Sequence, residues 1–234
     1  MNRDTLGRRI TEYVLSLVPA KVGFADLGGA GCPLSKDLTM AVSVVYPLER
    51  EPLREIAAGP TEKYRDEYVR ANRILAGIGE GICGLLKEEG CKALLVGPTT
   101  EGWDQKTLSA EFPHKTAATR AGLGWIGKSA LLVTREYGSA VRLCTVLTDA
   151  SLPAGIPVEE SFCGDCDLCV RACPASAPSG RNWSFDLHRD EFIDIFACRK
   201  QAQAFSEARN LGHTICGICI AACPWTAAHL ARTG

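Results

Sequence analysis

Hydrophobic residues recur along the chain with two periods, and each period predicts its own kind of element. Between Thr5 and Leu17 the apolar positions Ile10, Val14 and Leu17 share one face of an amphipathic helix. Met40 to Tyr46 is a β-branched run closed by Pro47, which predicts a strand. From Thr61 onward Tyr64, Tyr68, Ala71, Leu75, Ile78, Ile82 and Leu85 keep the spacing of a second helical face, and Gly90 ends it. A short strand follows at Ala93 to Val96, then a helix at His114 to Ala121. Ala130 to Thr134 and Val141 to Leu147 read as two strands of a hairpin turning at Tyr137-Gly138. Beyond them the pattern weakens to short loops, except for one long helix expected from Leu187 to Ala208. That helix carries Phe192 and Phe196 a turn apart, with Cys198 near its middle.

Ser151 to Pro157 is rich in Pro and Gly and reads as a linker. The expected organisation is an α/β domain over residues 1–150, a linker at 151–157 and a smaller domain over 158–234. At 46% hydrophobic and 23% charged, the chain has a globular composition. A formal net charge of −1 gives no bulk electrostatic footprint for nucleic acid. No apolar run is long enough to span a bilayer. Arg8-Arg9 is followed by Glu12 where an export signal needs an apolar core, so the expected compartment is the cytoplasm.

Twelve cysteines in 234 residues change the picture, because clustered thiols in a reducing compartment point to metal. Cys163-x2-Cys166-x2-Cys169-x3-Cys173-Pro174 is the bacterial ferredoxin spacing for a [4Fe–4S] cluster. Cys216-x2-Cys219-x3-Cys223-Pro224 is a second copy lacking one ligand, which Cys198 supplies. In two-cluster ferredoxins the last Cys of each run crosses to the other cluster. Cys163, Cys166, Cys169 and Cys223 are then one ligand set, and Cys173, Cys198, Cys216 and Cys219 the other. The competing reading is zinc, but consecutive runs with Pro behind each CxxxC step are not ribbon spacing. Cys32, Cys83, Cys91 and Cys144 have no ligand spacing, and Cys83 and Cys144 read as small core side chains. Trp225, directly after Cys223-Pro224, is expected to shield a cluster from water.

Gly122-Leu-Gly-Trp-Ile-Gly-Lys128 contains a G-x-G-x-x-G string, yet a helix precedes it and strands follow it. A dinucleotide site needs the reverse order, so NAD is excluded. Taken with Ala121, the strands ending at Leu147-Thr-Asp149 and the eight-Cys module, this stretch resembles the epoxyqueuosine reductase family and its relatives, the reductive dehalogenases. The resemblance runs from about His114 to Trp225. It implies an α+β fold: a nitroreductase-like, cobalamin-binding-type domain followed by a bacterial two-[4Fe–4S] ferredoxin-like domain. It further implies a corrinoid (cobalamin) in a pocket floored by Gly122, Leu123, Gly124, Trp125, Ile126, Gly127 and Lys128. FMN is the alternative cofactor for such a fold.

Two departures matter. The family's general acid is an Asp thirteen residues before the Ala of this stretch, and that position is Leu108 here. Asp104, Glu111, His114 and Glu101 are the nearby proton-carrying candidates. His114 and Lys115 read either as pocket residues or as a solvated helix start. The sequence also ends at Gly234 without the helical repeats with which the family helps hold tRNA, which argues against tRNA as substrate. Tyr64 and Tyr68 read as core, the charges from Lys63 to Arg73 as a solvated face, and His188, His213 and His229 as surface residues. The expected function is a cytoplasmic iron–sulfur reductase fed by an external low-potential donor, acting on a small organic molecule. The alternative is a dicluster electron-transfer or reductive-activation protein serving a partner such as a corrinoid protein.

Overall fold

The computed structural model describes residues 3–28, 34, 36–97, 103, 104, 106–110 and 112–232. In chain order the elements are α1 (Arg3–Leu17), β1 (Lys21–Asp26), β2 (Met40–Pro47), α2 (Arg50–Leu53), α3 (Glu62–Glu88) and β3 (Ala93–Val96). Then come β4 (Trp103–Asp104), β5 (Ser109–Ala110), α4 (His114–Arg120), β6 (Trp125–Ile126), β7 (Leu132–Val133) and β8 (Val141–Thr148). The cysteine-rich end carries α5 (Leu168–Arg171), α6 (Ile195–Ala208), α7 (Ile218–Ala221) and α8 (Pro224–Ala231). Among the described residues no helix is long and apolar enough to cross a membrane.

These elements form two compact units that interleave along the sequence. The first is Met1–Pro47, Ala71–Leu123 and Arg142–Val158; the second is Leu48–Arg70, Gly124–Val141 and Glu159–Gly234. The expected linear split differs from this over residues 48–70 and 124–141, which group with the cysteine-rich end. The reason lies in backbone bonding that an apolar pattern does not report. Leu48 N–H donates to Ala140 O at 2.9 Å, and the Arg209 guanidinium donates to Ala58 O and Pro60 O at 2.8 and 2.7 Å. The linker residues 151–157 have no regular structure and belong to the first unit, where Gly155 N–H donates to Phe24 O at 2.8 Å.

The first unit is built on a four-stranded sheet in the order β1-β2-β8-β3, with β1–β2 and β3–β8 antiparallel. Ala71, Leu75, Ile78, Ile82 and Leu86 of α3 are buried, so the predicted stripe holds, with Leu86 rather than the half-buried Leu85 closing it. Gly79 of α3 has no side chain because Leu95 of β3 and Cys144 of β8 lie against it. Ile10 and Val14 of α1 are fully buried, whereas Leu17, expected on the same face, is 54% exposed. Gly90 ends α3 with φ +77°, and the amide of Cys91 caps back onto Leu86 O at 3.0 Å.

The expected hairpin does not form. β7 pairs with β6, Trp125 against Val133 and Ile126 against Leu132, while β8 joins the central sheet. Thr134 and Gly138 instead close a tight loop with paired backbone bonds of 2.9 and 3.0 Å. Two apolar strands linked by a turn look alike whether they pair with each other or with distant partners.

The second unit has an apolar cluster of Ile126, Ala130, Ala177, Trp183, Phe192 and Ile193, against which Cys173 and Cys198 pack. The long helix begins later than the pattern predicts. Arg189–Glu191 is a separate single turn, and α6 starts after Asp194, whose Oδ1 accepts the Ala197 N–H at 2.9 Å. Phe192 is thus outside the helix and buried, while Phe196 is 54% exposed.

Candidate metal centre

The cysteine runs fold into two copies of one short device. Cys169 and Cys219 each occupy the second position of a four-residue helix, and Cys173 and Cys223 each lie two residues past its end. The local bonding repeats as well. In the first copy Val170 N–H donates to Asp167 O at 2.9 Å, Ala172 to Leu168 O at 3.0 Å and Cys173 to Val170 O at 3.3 Å. In the second, Ile220 donates to Gly217 O at 2.9 Å, Ala222 to Ile218 O at 2.9 Å and Cys223 to Ile220 O at 3.2 Å. One difference lies at the entry. Gly217 precedes its helix with φ +90°, where Ile56 and Tyr64 leave no room for a side chain, whereas Asp167 has φ −126°. Pro174 and Pro224 then stop either short helix from running on; Pro224 is tolerated as the first residue of α8.

The seven cysteines of the two runs, and Cys198 between them, are all half-buried free thiols. Their mutual influence crosses between the two runs. Burial pushes Cys169 up to about 11, and the thiols that add to this are those of Cys163, Cys223 and Cys166. Burial likewise raises Cys219 far above the ordinary thiol value, with Cys216, Cys198, Cys169 and Cys173 as its charged neighbours. Cys216 is raised too, mainly by burial, with Cys173 adding to it. Thiols that raise one another in this way resist ionising together unless a cation sits among them. Eight soft sulfur donors are the number that two iron–sulfur cubanes take. Zinc would need its ligands drawn round a single ion, and among the described residues no three His, Cys, Asp or Glu converge that closely. A cubane holds its four thiolates further apart than one ion does.

Of the other cysteines, Cys144 is fully buried and pushed up to about 12 by that burial, and Cys83 is buried and raised. Both are core residues of the first unit, as expected. Cys91 is half-buried, and Cys32 lies outside the described residues.

The glycine loop runs from the first unit into the second, and from Leu123 to Lys128 every residue is buried. Its glycines are explained by the chain itself. Gly122 has φ +73° with Ile156 O 2.7 Å from where a Cβ would stand, Gly124 abuts the Val133 carbonyl, and Gly127 abuts the Val133 side chain at 2.8 Å. Trp125, 1% exposed, meets Trp225 edge to face and Phe162 at a tilt, both at ring-centroid distances of 5.2 Å. A side chain at Gly127 would come 3.5 Å from Cys163 Sγ. Lys128 is only 6% exposed.

The proton-carrying candidates fare unevenly. His114 is buried rather than solvated. Its Nε2–H donates to Gly97 O at 2.9 Å and its Nδ1 accepts from the Thr145 hydroxyl at 2.9 Å. Burial lowers it to about 4, so the ring is neutral. Asp104 is exposed, and its Oδ1 accepts the amides of Lys106 and Thr107 at 2.6 and 3.2 Å. Leu108, where the resemblance wants an Asp, has φ +50°. Glu101 and Glu111 lie outside the described residues. Among the other side chains considered, Tyr64 is buried, Tyr68 is half-buried against the His213 ring, and His188 and His213 are exposed. His229 is a correction. It is 5% exposed under the Tyr137 ring, because α8 turns that face inward. Glu67 also departs from the expected solvated face, being 4% exposed and bonded to Arg70 and to the Glu49 amide.

Comparison with known proteins agrees with this geometry. Residues 162–226 match the family model of the 4Fe-4S double cluster binding domain. In sequence the chain is similar to the epoxyqueuosine reductases. The enzyme of that name from Synechococcus sp. (strain RCC307) is 33% identical over 137 residues, 54% of this chain and 39% of that protein. The one from Escherichia coli (strain K12) is 37% identical over 120 residues, 50% of this chain and 31% of that protein. The matches thus cover less than half the length of these relatives. Two kinds of solved structure share the fold. An epoxyqueuosine reductase with an epoxyqueuosine-modified tRNA stem loop superposes with TM-score 0.64 at 19% identity, covering 95% of this chain and 66% of that one. A reductive dehalogenase whose structure suggests a mechanism for B12-dependent dehalogenation gives TM-score 0.72 at 18% identity, covering 96% and 32%.

Proposed function

We propose that this chain is an iron–sulfur reductase. Cys163, Cys166, Cys169 and Cys223 hold one [4Fe–4S] cluster, Cys173, Cys198, Cys216 and Cys219 hold the other, and a corrinoid serves as the reducing centre toward a small organic substrate. The observation that carries the reading is that the thiols act on one another across the two runs: Cys223 raises Cys169 along with Cys163 and Cys166, and Cys173 raises Cys216 and Cys219. The likeness in fold to a dehalogenase described in terms of B12 supports the corrinoid.

When bound, the clusters supply one-electron transfer and the corrinoid a strongly reducing metal able to attack a carbon centre. The chain's own part is to hold and insulate. The repeated helical devices fix Cys169 and Cys219 at the same helical position. The buried Trp125, with Trp225 and Phe162 against it, sets apolar rings beside Cys163 and Cys223, which lowers the local dielectric. Lys128 offers a buried amine in the loop expected to floor the corrinoid, a donor suited to an edge rich in amide and phosphate oxygen. A low-potential external donor loads the clusters, as in any reductase without its own source of electrons.

A second reading has a specific observation behind it. His114 has both ring nitrogens committed, the carboxylate of Asp104 is tied into its own turn, and Leu108 cannot carry a proton. A protein that only relays electrons to a partner corrinoid protein needs no proton donor. Anaerobic reconstitution followed by cobalamin titration separates the two. A saturable change in the cobalamin spectrum supports the reductase. Loaded clusters with an unchanged cobalamin spectrum leave the relay.

A further inference from the structure

Trp125 carries a polar atom that the fold leaves without a partner. Its Nε1–H is fully buried and makes no hydrogen bond among the described residues. A buried donor left unsatisfied is costly, so a protein rarely retains one unless something absent from the chain accepts it. The indole's surroundings say where that acceptor lies. Phe162, tilted against Trp125 at 5.2 Å, is the residue before Cys163. Trp225, edge-on at 5.2 Å, is two residues after Cys223. Gly127, two residues along the same loop, is the glycine whose added side chain would come 3.5 Å from Cys163 Sγ. Three neighbours of the ring therefore lead to Cys163 and Cys223, which sit at opposite ends of the cysteine module yet belong to one ligand set.

We infer that the Trp125 indole N–H donates a hydrogen bond to a sulfur of the cluster held by Cys163, Cys166, Cys169 and Cys223, and thereby sets that cluster's potential apart from its twin's. This rests on the cluster reading above. The chemistry has a definite sign. Reduction adds negative charge that spreads onto the sulfurs, a donor stabilises that charge, and the potential rises. Cys173 and Cys198, of the other set, pack against the apolar cluster that holds Trp183 and Phe192, so a cluster held there would not share the Trp125 donor. The glycine loop then acts as a positioning element for a cluster, since β6, one strand of the β6–β7 pair, carries Trp125.

The test uses the full chain, reconstituted anaerobically with iron and sulfide. Trp125→Phe keeps an aromatic ring and removes the N–H. Redox titration followed by EPR should show one cluster of the variant reduced at lower potential and the other unmoved, with iron content equal to wild type. Wild-type protein carrying 15N-indole tryptophan should show a nitrogen coupling and an exchangeable-proton coupling on the reduced cluster. Both should persist in Trp225→Phe, which reads the bond even if Trp125→Phe fails to fold. Unchanged potentials in an iron-loaded Trp125→Phe, absence of the nitrogen coupling in wild type, or its loss in Trp225→Phe would each overturn the inference. So would unchanged potentials combined with weakened cobalamin binding, which would give the N–H to the corrinoid. Wild-type protein that takes up no cluster would instead overturn the underlying reading.

Discussion

Trp125 and Trp225 meet edge to face, ring centroids 5.2 Å apart and planes at 76°, although a hundred residues separate them in the chain. The pair ties the glycine loop to the start of α8, two residues past Cys223. Edge-to-face aromatic pairs contribute about 0.5–1.5 kcal/mol beyond their buried area. Trp225→Ala is expected to lower the melting temperature of the loaded protein and to speed loss of iron in air, read from the decay of the cluster absorbance. Unchanged bleaching would show that the indole does not shield the cluster.

Gly138 turns with φ +60° directly against the backbone of Trp225 and Thr226. Thr226, fully buried, accepts the Ser139 amide at 3.1 Å from that same loop. Gly138→Ala meets both a strained conformation and occupied space, so a destabilisation of about 2 kcal/mol or more is expected in denaturant unfolding. Gly84→Ala, a helical position with open space around the added carbon, is the control and should be neutral or slightly stabilising.

Asp194 caps the helix that presents Cys198 one turn later. Asp194→Ala should cost about 1 kcal/mol of stability, the usual value of a lost cap. The fraying falls on the turn carrying Cys198, so the second cluster should be released at lower chelator concentration than the first. Equal release of both would place Cys198 outside the ligand set.

His114 is lowered to about 4 by burial, and its ring accepts one hydrogen bond and donates another only while neutral. The unfolded chain binds this proton near the ordinary value of 6.5, the folded chain only near 4. Stability from this group is therefore full above pH 6.5 and falls as the pH drops toward 4, by roughly 3 kcal/mol in all. Unfolding measured across that range should lose this part of its slope in His114→Gln. A slope that persists would place the titration elsewhere.

Much of the first unit was legible because its signals are local. The helical stripe of α3, the β-branched run of β2 and the stop at Gly90 each report their own backbone. What escaped was long-range. The partners of β7 and β8 depend on which strands meet in three dimensions, and a turn residue at Gly138 fits either pairing. Residues 48–70 and 124–141 group with the cysteine-rich unit, where Arg209 bonds the Ala58 and Pro60 carbonyls and Thr226 accepts the Ser139 amide, contacts that periodicity does not reveal. The double-cluster domain was legible because its cysteine spacing is a pattern along the chain itself. His229 was not, since a short helix with four apolar neighbours leaves the inward face undecided. Trp125 was visible only as part of a glycine loop; its unsatisfied N–H needed a structure.

Paired substitutions distinguish clusters that each draw ligands from both cysteine runs from clusters held by one run apiece. Cys163→Ser with Cys223→Ser removes two ligands from one predicted set and none from the other. After anaerobic reconstitution that double variant should retain about four of roughly eight iron atoms per chain and a single EPR-active cluster. Cys163→Ser with Cys173→Ser breaks both sets and should leave neither cluster intact. If the second pair keeps half the iron while the first keeps none, each run holds its own cluster and the account is wrong.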